Sequence, residues 1–65
     1  MIAIWQKFSS ETVWMLICGV ATLDEALDFV AKNAELETKY ELWCGRVQYL
    51  PERYAKTEDG WVERP

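Results

Sequence analysis

The sequence predicts a small α+β domain built on an antiparallel β-sheet, in the order ββαββ or ββαβββ. Three observations carry that expectation. Two apolar, alternating runs flank a polar turn at the start of the chain. One amphipathic segment with a start signal follows. The rest is rich in β-branched and aromatic residues and is punctuated by glycine and proline.

The first run, Ile2 to Phe8, and the second, Thr12 to Val20, read as a hairpin. With the turn centred on Ser10-Glu11, Phe8 faces Val13, Gln6 faces Met15, Ile4 faces Ile17 and Ile2 faces Gly19. The opposite face then carries Ala3, Trp5 and Lys7 against Cys18, Leu16 and Trp14, and Lys7 beside Trp14 fits a cation–π pair. Both faces are apolar, so hydrophobic patterning pins this register weakly, and a one-residue slip would exchange the faces.

The segment "TLDEALDFVAKNAEL" is the helix. Thr22 followed by Glu25 forms a capping box, which gives otherwise orphaned amides at the helix start a side-chain partner. At about 100° per residue, Leu23, Ala26, Leu27, Val30 and Ala34 share one stripe, which is expected to pack on the hairpin. Asp24, Asp28 and Glu35 share a flank, while Phe29 and Leu36 lie off the stripe. In "KYELWCGRVQYL", Gly45 marks a bulge or a turn between two shorter strands. Pro51 then ends the ladder because it has no amide to donate. "RYAKTEDGWVE" closes as a second hairpin with its turn at Asp59-Gly60.

A chain of 65 residues is expected to form a single domain over residues 1–65. With 51% hydrophobic residues and four tryptophans it is globular rather than disordered. One helix covers only one face of such a sheet. The other face would hold Trp5 and Trp14, with Trp43 and Trp61 available from later strands. Either the sheet curls so that the C-terminal hairpin covers these tryptophans, or a second molecule does, and a chain this short favours curling.

Composition restricts function. The net charge of −4, eleven acids against seven bases, argues against direct nucleic-acid binding through phosphates and suits a partner with a basic surface. A nucleic-acid binder would need Lys7, Arg46, Arg53, Lys56 and Arg64 to converge on one patch. Histidine is absent, which removes the usual general base and every histidine-containing zinc site. Cys18 and Cys44 lie too far apart for a metal knuckle and read as buried, reduced thiols. No glycine-rich phosphate loop exists, and Ser9 and Ser10 have no base beside them. The chain is therefore read as non-enzymatic, without cofactor or metal. The start "MIAIWQKF" has no secretory pattern, and "VWMLICGVA" is too short to span a bilayer, so a cytoplasmic location without membrane contact is expected.

Two surfaces are candidates for a partner. The first is the acidic flank Asp24, Asp28 and Glu35, extended by Glu37 and Glu41, whose one-turn spacing approximates that of phosphates along DNA. Its ordinary reading is a solvated helix face. The second is the tryptophan set Trp5, Trp14, Trp43 and Trp61, since tryptophan is enriched at interface hot spots.

In its short length, acidic balance, N-terminal hairpin, single helix and closing "YAKTEDGWVERP" hairpin, the chain resembles small phage-encoded anti-defence proteins, anti-CRISPR proteins above all. The resemblance is one of build and transfers no individual residue. It implies an inhibitor in the cytoplasm of a bacterial host, which blocks a CRISPR effector by binding, in some members as a DNA mimic. The alternative is a homodimeric adaptor that uses an exposed tryptophan face. The monomeric inhibitor and the homodimer differ in which surface is covered.

Overall fold

The computed structural model describes residues 1–35 and 37–65. The strands and helix are β1 (Ile2–Phe8), β2 (Met15–Val20), α1 (Leu23–Asn33), β3 (Thr38–Cys44), β4 (Val47–Tyr49), β5 (Tyr54–Thr57) and β6 (Gly60–Glu63). A single 3₁₀ turn at Pro51–Arg53 precedes β5. The α+β class is as the sequence predicts. Four strands follow the helix, one more than the longer expected order, because Gly45 is a true break and the last hairpin stands apart. β1 to β4 form an antiparallel sheet in the order β2-β1-β3-β4, and β5-β6 forms a separate two-stranded sheet.

The first hairpin differs from expectation at its turn and in half of its register. Glu11 donates its amide to the Phe8 carbonyl at 2.9 Å, so the tight turn is on Ser9-Ser10, and β2 begins only at Met15. Gln6 faces Met15 and Trp5 faces Leu16 as expected, but Ile4 faces Cys18 and Ile2 faces Val20. The shift between Ile4 and Trp5 leaves Ile17 without an opposite residue, which is a β-bulge. Its effect is to turn Cys18 and Val20, rather than Ile17 and Gly19, toward the core. Two apolar faces permitted both registers, and the bulge uses one at each end of the strand.

The core is small and lies on one side of the sheet. Ile2, Ile4 and Leu42 from β1 and β3 meet Ala26 and Leu27 of α1, and these five are the buried hydrophobic residues among those described. Leu23, Phe29 and Val30 pack around them with Cys18, Cys44, Tyr40 and Tyr49. Phe29, expected off the stripe, thus joins the core rim. Ala34 lies beyond the helix and is exposed, while Leu36 falls outside the described residues. Both cysteines are free and only half-buried, where full burial was expected.

The start of α1 is capped as its sequence predicts. Thr22 is extended (φ −127°) and its Oγ1 accepts from the Glu25 amide at 3.2 Å. The reciprocal half of the box is altered: the Glu25 carboxylate accepts from the Thr22 hydroxyl at 3.3 Å rather than from its backbone. At the other end, Tyr40 Oη donates to the Asn33 carbonyl at 3.1 Å and accepts from Gln6 Nε2 at 3.0 Å. One phenol therefore ties β1, β3 and the last turn of α1 together.

Glycine sets both C-terminal turns. Gly45 has φ 61° and, among the described residues, no non-glycine residue has positive φ, so Gly45-Arg46 is a type II′ turn between β3 and β4. In the last hairpin the turn sits on Glu58-Asp59, one residue earlier than expected, with Gly60 (φ 111°) opening β6. Thr57 fixes this turn: its hydroxyl donates to the Gly60 carbonyl at 2.8 Å and accepts from the Asp59 amide at 3.2 Å.

Removing the Thr22 hydroxyl should cost about 1 kcal/mol of stability, because an amide at the helix start loses its acceptor. Denaturant titration of Thr22→Ala checks this. A midpoint equal to that of the unaltered protein would show that the cap contributes nothing.

Candidate functional site

The C-terminal hairpin does not curl over the tryptophans. It packs on the helix side of the molecule, where α1 and β6 are in contact. Asp28 holds it there. Asp28 Oδ1 accepts from Lys56 Nζ and from Trp61 Nε1, each at 2.8 Å. Lys56 and Trp61 are cross-strand partners, and the ammonium stands 5.4 Å from the indole centroid. Asp24 abuts the same hairpin, since a Cβ on Gly60 would lie 2.9 Å from its Oδ2.

The predicted acidic surface is therefore not one surface. Asp24 and Asp28 face the hairpin, and Asp28 is neutralised by Lys56. The Lys56 ammonium, and then the Trp61 indole, bonded to Asp28 hold its carboxyl below its ordinary value of 3.8. Glu35 and Glu37 are exposed in the connection after the helix, where the Glu37 carbonyl accepts from the Ser9 amide and hydroxyl, each at 2.8 Å. Glu41 is half-buried on β3. The basic residues are divided in part: Arg64 donates its amide to the Arg53 carbonyl at 2.7 Å and lines one cleft with Lys7, while Arg46 lies in the β3–β4 turn and Lys56 in the ion pair with Asp28.

Of the tryptophans, three come together and one does not. Trp5, Glu41 and Trp43 project from the sheet face opposite α1, because their neighbours Ile4 and Leu42 point into the core. With Met1, Ala3, Trp14 and Gly45 they line an open depression of about 530 Å³. Trp43 Nε1 donates to Glu41 Oε1 at 3.1 Å. Lys7, the expected partner of Trp14, lies 5.4 Å from its ring centroid. Trp61 belongs to the Asp28 node. Glu41 thus leaves the predicted acidic set and joins the tryptophan set. The signal was in the sequence, since residues two apart on a strand share a face.

Two further apolar surfaces flank this one. A cleft of about 720 Å³ shares Trp14 and Glu41 with the depression and runs between Leu27 and Val30 of α1 and Tyr54 and Trp61 of the C-terminal segment, with Lys7, Lys39 and Arg64 also on its border. Val13, Met15, Leu16 and Ile17, along the outer strand β2 and its approach, are 63, 46, 58 and 39% exposed. Among the described residues there is no cluster of three or more His, Cys, Asp or Glu side chains suited to a metal ion. No helix there is long and apolar enough to cross a membrane.

Compared with known proteins, the chain matches no family model, no curated protein and no solved structure.

The Asp28 node makes a prediction about acid. A carboxylate whose folded pKa is depressed contributes stability above its unfolded value, here 3.8, and that contribution is lost as pH falls through the folded value. Thermal melts should show the unaltered protein more stable than Asp28→Asn at neutral pH, with the gap narrowing below pH 3.8. A gap that stays constant with pH would show that the Asp28 charge does not hold the hairpin.

Proposed function

We propose that this chain is a small non-enzymatic binding protein that docks on a basic protein surface through the open face of its sheet. The target class in keeping with its build and charge is a nucleic-acid-handling bacterial defence complex, a CRISPR effector above all, which the docked chain would inhibit from within the host cytoplasm. The reading rests on one observation: Trp5, Trp14 and Trp43 share an uncovered face with the carboxylate of Glu41. Large aromatic side chains around an acid favour a partner that presents cations from a protein surface. The helix flank supports the earlier picture of a DNA mimic less well, because Asp28 is already matched by Lys56.

A second reading is favoured by the exposed apolar residues of β2, an outer strand whose free edge offers unpaired backbone groups. Here the chain is a homodimeric adaptor. Sedimentation equilibrium across a dilution series separates the two, because only the dimer changes mass with concentration.

The decisive experiment measures DNA cleavage by purified CRISPR effector complexes at two ionic strengths, with two variants. Glu41→Lys should abolish inhibition while leaving the thermal melt nearly unchanged. The double variant Asp24→Lys/Glu35→Lys should inhibit like the unaltered protein, and inhibition should weaken as salt rises. Inhibition lost on the flank variant and kept on Glu41→Lys would move the interface to the acidic flank. No inhibition of any effector tested would sink the inhibitor reading.

A further inference from the structure

The molecule builds the same indole–carboxylate pair twice. At the first, Trp61 Nε1 donates to Asp28 at 2.8 Å, and a cation completes the group: Lys56 bonds the carboxylate at 2.8 Å and stands 5.4 Å from the ring. At the second, Trp43 Nε1 donates to Glu41 at 3.1 Å, with Trp5 and Trp14 alongside. Here no cation completes it. Among the described residues, Lys56–Asp28 is the one ion pair, so Glu41 holds none. Two cations share this face, Lys7 and its cross-strand partner Lys39; neither pairs with Glu41, and Lys7 is stationed over Trp14.

We infer that the depression lined by Trp5, Trp14, Trp43 and Glu41 is a binding site for a guanidinium group, the side chain of an arginine on a partner protein. The physical chemistry is that of the filled pair. Indole faces attract a cation through their quadrupole, most strongly where water is thinned, and the carboxylate fixes its position. The Trp43 indole engages one carboxylate oxygen and leaves the other to accept. A guanidinium is planar and weakly hydrated, so it stacks on an indole and still directs edge N–H groups at a carboxylate. An ammonium does both at Asp28, where Lys56 comes from the same hairpin as Trp61, but as a compact, strongly hydrated charge it gives up more hydration to enter from a separate molecule. The depression, about 530 Å³ and open, admits such a side chain from outside without rearranging the core on the other face. This inference deepens the docking reading and takes its occupant, a basic protein surface, from it.

The test needs no identified partner. The folded protein is titrated with N-acetyl-arginine amide, its neutral isostere N-acetyl-citrulline amide, and N-acetyl-trimethyllysine amide, and the four indole N–H resonances are followed by NMR. The arginine compound should bind saturably, with a Kd of about 10 mM or below, and shift the signals of Trp5, Trp14 and Trp43 but not Trp61. The citrulline compound should shift none of them, and Glu41→Gln should weaken arginine binding at least about fivefold, the scale of a charge-assisted contact. Equal shifts with arginine and citrulline, absence of saturation, or a matching response from Trp61 would each overturn the site. Tighter binding of the trimethyllysine compound would overturn the guanidinium assignment in favour of a quaternary ammonium. Arginine binding by a protein that inhibits no effector would leave the site standing and remove the docking reading, so the two can fail separately.

Discussion

One helix of eleven residues against a four-stranded sheet is the constraint on which the rest depends. A helix about 10 Å across covers about two strands of one face and nothing of the other. The fully buried side chains Ile4, Leu27 and Leu42 lie at that single contact, where α1 packs over β1 and β2 and the core reaches Leu42 of β3. A core this thin cannot spare residues, and a small domain of this length gains only modest net stability from it. Everything outside that contact must be held by local devices or left to solvent.

The devices are polar and each joins elements distant in sequence. Tyr40 links β1, β3 and the end of α1 through its hydroxyl. Asp28 links α1 to the last hairpin through Lys56 and Trp61. The hairpin contributes Tyr54 and Trp61 to the border of the core, so its attachment extends the apolar contact as well as anchoring the chain. An exposed ion pair alone is screened by water. The indole and the packing beside it are what give the Asp28 node its directional character. The same node sets a cation against one acid of the helix at the surface, so the helix is less uniformly acidic than its sequence.

The sequence made the elements legible where the signal was local. Thr22 and Glu25 marked the helix start, the stripe Leu23, Ala26, Leu27 and Val30 marked its inner face, and Gly45 marked the break between β3 and β4. It failed where two answers had similar energy. Ile2 to Phe8 and the run to Val20 are apolar on both faces, so nothing in the pattern could place the bulge at Ile17. The acids posed a different difficulty. Helical spacing grouped Asp24 and Asp28 correctly, but the partner of Asp28 lies 28 residues away on a hairpin whose docking side no periodicity encodes. The tryptophan face was legible in part: Trp5, Trp14 and Trp43 gather as foreseen, and Trp61 departs because its indole N–H is committed to Asp28.

These two outcomes have one cause. The last hairpin could have lain on either side of the sheet, and the choice fixes both surfaces at once. On the helix side Asp28 accepts from both Lys56 and the Trp61 indole, a double pairing that Glu41 on the tryptophan face, with one oxygen already serving Trp43, would replace only in part. The apolar area gained by covering Trp5, Trp14 and Trp43 would have to exceed that loss together with the packing of Tyr54 and Trp61 at the core border. The hairpin is short, four residues to a strand, and the face that carries Tyr54 and Trp61 also carries Lys56 and Glu63. Laid over the tryptophans it would bring those charges into a largely apolar contact, where each must be desolvated. The helix side asks for no such desolvation, because the ion pair it forms remains more than half exposed. Exposure of the tryptophan face is thus a consequence of where the charges of the hairpin can be solvated, rather than a shortage of chain to cover it.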